Sequence, residues 1–160
     1  MKTNYITLMI TLLAIGFLSC DENEELPDFL NGTAFGILLN VDVTAGNEVF
    51  IADINTSTVS FDVSYDDGER PVQSIVVRKY FVTADGTASD KVEQMTVTAS
   101  PATVTLSISD LVGGISGLDI DDIAAGDSFR IEFVTNYVDG LVVDNYGTGV
   151  NPNFSVAFMD

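Results

Sequence analysis

From Phe35 onward, apolar and polar residues alternate. Phe35, Ile37, Leu39, Val41 and Val43 take every second position, with Gly36, Leu38, Asn40 and Asp42 between them. Successive side chains of an extended strand point to opposite faces, so a period of two marks a strand with one buried face. The pattern recurs at 58–65, where Val59, Phe61, Val63 and Tyr65 oppose Ser60, Asp62 and Ser64. It recurs again at 95–99, at 104–108 and through Phe154, Val156 and Phe158. The longest inward face is Phe129, Ile131, Phe133, Thr135 and Tyr137, opposed by Arg130, Glu132, Val134 and Asn136. Residues 49–54 read as a short edge strand and 141–143 as the far arm of a hairpin. Residues 73–82 form a strand with conflicting faces. Ile75, Val77 and Phe81 share a side with Lys79, while Val76, Tyr80 and Val82 share one with Arg78. A bulge, or burial on both faces, would reconcile them.

Turn chemistry separates these runs. Ala45-Gly46-Asn47, Asp66-Asp67-Gly68, Asp85-Gly86, Ser100-Pro101, Gly126-Asp127 and Asp139-Gly140 fall between them. Residues 147–152 read as a loop. One stretch, 110–122, breaks the strand rhythm. There Ser109 or Asp110 is positioned to cap a helical turn through Ile115, and Asp119 to cap a second around 120–123. No long segment has helical periodicity. The expectation is an all-β fold, an antiparallel sandwich of seven to eight strands with short helical turns in one crossing loop.

The chain before residue 34 follows another rule. Lys2 precedes an uncharged apolar run, 6–18, which ends at Ser19 and Cys20, the only cysteine. This is the layout of a secretory signal peptide. The run is shorter than the roughly 20 apolar residues of a membrane span. It resembles the bacterial lipoprotein type, in which the cysteine is diacylated and becomes the mature N-terminus. Phe17 stands where that motif usually has Leu. Asp21, Glu22, Glu24 and Glu25 follow, a pattern similar to the acidic export signal of Bacteroidota lipoproteins; the same residues also fit a solvated linker. The expected division is 1–19 signal peptide, 20–33 lipidated acidic tether and 34–160 sandwich domain, with Pro27 stiffening the exit from the tether.

The formal net charge is −18. Such a chain repels nucleic acid, whose phosphates need basic patches, so no nucleic-acid partner is expected. An anionic membrane surface would repel it too, which leaves the lipid to hold it there. There is no histidine, which removes His-based acid–base catalysis, Ser-His-Asp triads and His metal sites. The lone thiol is taken by the anchor. There is no tryptophan either. No catalytic residue, cofactor or resident metal is therefore expected.

Three constellations hold candidate chemistry. Asp119, Asp121 and Asp122 have the oxygen donors that calcium takes, although aspartates in such a loop more often cap helical turns. Asp66 and Asp67, or Asp42 and Asp62, are carboxylate pairs of the kind used in glycoside hydrolysis, but such pairs are unavoidable in a chain this acidic. Tyr80, Tyr137 and Tyr146, with Arg78 and Lys79, have the aromatic and cationic character of recognition surfaces; Tyr80 and Tyr137 fit the core equally.

Residues 123–129, Ile-Ala-Ala-Gly-Asp-Ser-Phe, are similar to the turn before strand F of fibronectin type III domains. Ala125 takes the place of the Pro and Phe129 that of the Tyr, so the corner lacks its hydroxyl. More broadly, the order of elements over 58–145 resembles the immunoglobulin-like domains of small Bacteroidota surface lipoproteins, including those accessory to starch-utilisation-type uptake systems. The resemblance implies a non-enzymatic module anchored by lipid to the outer membrane and facing outward, with a glycan or an outer-membrane protein as partner. A structural subunit docking on such a protein, and a carboxylate hydrolase, are the alternatives. Ligand contacts are expected at Arg78 and Tyr80 on a strand and at Asp119, Asp121 and Asp122 in the crossing.

Overall fold

The alternation resolves into nine strands in a computed structural model that describes residues 39–65, 71–144 and 152–160. The apolar run, Cys20, the acidic stretch 21–25, Asp66, Asp67, Tyr146 and most of the 147–152 loop lie outside the described residues. In chain order the strands are β1 (Asn40–Ala45), β2 (Glu48–Phe50), β3 (Thr58–Ser64), β4 (Val72–Val82), β5 (Val92–Val97), β6 (Ala102–Ser107), β7 (Ser128–Tyr137), β8 (Val142–Asp144) and β9 (Phe154–Met159). A five-residue helix, α1 (Ile108–Val112), follows β6.

One sheet has the order β1-β3-β6 and the other β2-β9-β7-β4-β5. This is the strand order of an immunoglobulin-like sandwich, with chain crossings between the sheets after β1, β2, β3, β5 and β6. β4 lines one edge of β7 from Ser128 to Tyr137. β8 and β9 therefore share the other edge, β8 at 134–136 and β9 at 128–131. The structure departs from the expected edge strand at 49–54. Only Glu48–Phe50 is strand, it runs parallel to β9, and Ile51–Asp53 turns into a one-turn 3-10 helix. Period two identifies a strand but not its partner or direction.

The two inner faces meet through aromatic rings. Phe61 of β3 stands edge-on to Phe133 of β7 at 5.9 Å and to Phe154 of β9 at 5.2 Å. Phe129 bridges Phe81 at 5.2 Å and Phe158 at 5.8 Å. Phe129, Ile131, Phe133, Thr135 and Tyr137 are all buried, as their alternation requires. The conflict in β4 resolves through the first of the two expected devices, a bulge, and through an inward lysine. The bulge lies opposite, where Val77 pairs with Met95 and Arg78 with Glu93. β4 has a second irregularity at its start, between Val72 and Ser74, but from Ile75 to Val82 it alternates strictly and carries Lys79 inward, 1% exposed.

The crossing is capped two residues earlier than Ser109 and three earlier than Asp110. Ser107 caps α1, and Asp110 returns the bond to the Ser107 N–H, closing a capping box. Those bonds from the Ser107 hydroxyl and N–H hold the Asp110 carboxyl below its usual range. Asp119 caps the second turn, Ile120–Asp122, as its position predicted.

The corner before β7 lacks the tyrosine hydroxyl but has another tie. Asp127, 6% exposed, accepts the N–H groups of Ala84 and Ala124, each at 2.8 Å. Gly126, at φ +92°, donates to the Phe158 carbonyl at 2.8 Å, and Phe158 donates back to Asp127 at 3.0 Å. One carboxylate thus joins the β4–β5 hairpin to the crossing. Bonds to a charged acceptor contribute about 1.5–3 kcal/mol each, and partial rehydration of the two N–H groups offsets part of the loss. Asp127→Ala should therefore lower stability by about 2–3 kcal/mol in urea denaturation, with Asp127→Asn falling between the two.

Candidate functional site

The outer face of the larger sheet carries a cluster of charged and aromatic side chains. Even-numbered residues of β4 and β7 point outward there. The register sets Arg78 opposite Glu132 and Tyr80 opposite Arg130. Lys91 reaches over from the loop before β5, its ammonium 5.4 Å from the Tyr80 ring centre and 2.7 Å from Glu132 Oε2. Arg78 sits 3.7 Å from the same oxygen and 2.6 Å from Asp144 of β8. Glu93, across from Arg78 on β5, accepts from the Thr96 hydroxyl at 3.2 Å.

Glu132 is only 2% exposed, although it lies on the outward face. A buried carboxylate is costly unless cations compensate it. Here Lys91 and Arg78 cover it from either side, while Oε1 has no hydrogen-bond donor. Val134 on the same face is also buried, at 8%. The outer face expected to be solvated is therefore half covered at its centre.

Beside this cluster lies a cleft of about 470 Å³. Tyr80, Arg130 and Glu132 line it from the two central strands, Gly86 and Ala88 from the β4–β5 hairpin, and Asn153 from the lead-in to β9. The hairpin wall is firmly built. The Thr83 hydroxyl donates to Asp85 at 2.5 Å, and the Thr87 N–H donates to the same carboxylate at 3.0 Å. Bonds from Thr83 and then Thr87 hold the Asp85 carboxyl below its usual range. Phe81 N–H donates to the Ser89 hydroxyl at 2.9 Å.

The expected ligand residues are thus divided by the fold. Arg78 and Tyr80 come together with Lys91, Glu132, Arg130 and Asp144. Lys79, read beside them in the sequence, projects through the sheet into the core and donates to the Asp110 carbonyl. Tyr137 is core, 2% exposed. In the crossing, Asp122 accepts the Asp119 N–H at 2.9 Å, and Asp119 accepts that of Asp121 at 3.3 Å. Those carboxylates complete a cap, and Asp121 is exposed. A shallower hollow of about 510 Å³ between the β4–β5 hairpin and the crossing includes Asp122, Phe81 and Leu118 in its lining. Asp42 and Asp62 face each other across β1 and β3, and Asp62 accepts from Thr103 at 2.6 Å, an ordinary cross-strand bond.

Sequence reasoning named Arg130 and Glu132 as outward-facing but did not join them to Arg78 and Tyr80. The missing quantity was the β4–β7 register. The reach of Lys91 and Asp144 from neighbouring segments carries no local sequence signal. No protein-family model matches the chain and no curated protein matches it, so the site is read from its own residues.

Proposed function

We propose that this chain is a non-enzymatic binding module, held on the outer face of an outer membrane by lipid on Cys20. The observation that carries the reading is the apolar run 6–18 ending at Ser19 and the only cysteine, with Asp21, Glu22, Glu24 and Glu25 directly after it. A chain of net charge −18 has little other means of staying at an anionic surface. The absence of histidine and the commitment of the single thiol to the anchor favour recognition over acid–base or covalent chemistry. The polar cleft on a rigid sheet face, walled by a well-bonded hairpin, suits such recognition.

Cys20→Ala should leave the protein unlipidated and move it from the membrane fraction to the soluble fraction. Retention on membranes after a high-salt wash would defeat the anchor. Replacing the four acids after Cys20 with alanine should keep the protein on membranes but shield it from external protease. Unchanged surface labelling would reduce them to a solvated linker.

A further inference from the structure

We propose that the outer-face cleft takes a small hydroxylated carboxylate, such as a sugar acid, with the ligand's carboxylate seated on Arg130. The proposal rests on the binding-module reading and names its ligand class.

The cations around Glu132 are unequal. Lys91 is committed to Glu132, and Arg78 to Glu132 and Asp144. Arg130 has no described carboxylate within ion-pair distance. Among the described residues its one side-chain hydrogen bond runs from Nη1 to the Ser155 hydroxyl at 2.5 Å. That bond fixes the guanidinium against β9 and leaves its remaining donors for a ligand. A side chain with acids in such excess around it, 24 against 6 basic residues, would ordinarily meet one. Arg130 instead lines the cleft as an exposed fork suited to bidentate capture of a carboxylate.

The nearest negative charge does not oppose this. Glu132 also lines the cleft, but both of its carboxyl oxygens are buried and its charge is compensated by Lys91 and Arg78. The rest of the lining chooses the body of the ligand. Tyr80 and Asn153 bring polar groups beside the apolar Val82, Ala88, Ile131 and Phe154, a mixed wall that suits a ring with hydroxyl edges and C–H faces, and the space of about 470 Å³ is that of a small-molecule site. A polyanion would be turned away by the net charge of −18, whereas a single carboxylate meets only the local field.

The test is isothermal titration of the full-length chain, solubilised in a detergent without sugar headgroups, with glucuronate and with glucose. Glucuronate is expected to bind and glucose to bind at least about tenfold more weakly, the worth of one charge-assisted contact. Arg130→Gln should lower glucuronate affinity by about tenfold or more with the melting temperature unchanged, because the side chain is exposed. Equal binding of glucose and glucuronate would overturn the carboxylate assignment while leaving a binding module. Full glucuronate affinity in Arg130→Gln would overturn the site. Silence toward both compounds at millimolar concentration would overturn the proposal, while the surface-anchor reading would still be decided by the Cys20→Ala fractionation.

Discussion

Phe133→Ala should lower the unfolding free energy by about 3–5 kcal/mol, the usual range for emptying a core phenylalanine site. Phe133 is 0% exposed and is where the sheets are joined. Its ring stands at 81° to Phe61 of the opposite sheet and lies 6.3 Å from Phe154 beside it. Truncation removes both ring contacts and opens a void that the β4–β7 ladder on one side and β9 on the other cannot close. Urea denaturation followed by circular dichroism measures the change. The midpoint should fall with the slope unchanged, because the surface exposed on unfolding stays nearly the same. A loss below about 1 kcal/mol would mean that the site collapses freely, which contradicts the rigid ladder.

Stability should rise by about 3 kcal/mol between pH 8 and 10.5, and the rise should vanish in Lys79→Met. Burial lowers the Lys79 pKa from 10.5 to about 8, with the nearby Asp110 charge acting weakly in the opposite direction. The unfolded chain holds the proton up to about 10.5, and the folded chain releases it near 8. In that window the unfolded state binds more protons, so raising the pH favours the folded state. Below pH 8 the cost of charging the buried amine is fully present; above 10.5 it is gone. Tyrosine ionisation and the general charge repulsion affect both proteins equally, so the difference between their pH profiles isolates Lys79. Parallel profiles would show that the amine reaches water. The sequence offers a reason for tolerating this lysine only after folding. Asp110 is in the last turn of α1, where carbonyls lack intrahelical partners, and the Lys79 ammonium caps one of them.

These residues also mark how far the sequence could be read. The inward faces of β3, β7 and β9 were legible because large apolar residues recur at every second position, Val59, Phe61 and Val63, then Phe129, Ile131 and Phe133, then Phe154, Val156 and Phe158. The faces of β4 were not, because Lys79 occupies a core position for the sake of a main-chain carbonyl that has no residue identity. Ser107 was hidden as a cap because it falls within the alternation of β6. Its role shows only where the backbone leaves the sheet. Of the candidate site, Arg78 and Tyr80 were legible as a charged and an aromatic residue on one strand. Their partnership with Lys91, Glu132 and Arg130 depends on strand register and on a loop side chain crossing a neighbour. Neither is a property of local composition. The aspartates of the crossing showed the opposite problem. Their clustering suggested a ligand, but the geometry uses Asp119 and Asp122 to satisfy helix-end donors.

The tie made by Asp127 reaches beyond the corner it closes. The hairpin that walls the cleft is fastened by Ala84 to the same carboxylate that anchors the crossing. Ordering a loop around a ligand consumes conformational entropy, of the order of 1–2 kcal/mol for each backbone residue fixed. In this molecule the wall is ordered when the sandwich folds, before any ligand arrives. Association at the cleft therefore draws on little further loss of freedom, and modest contacts there can be expressed almost wholly as affinity.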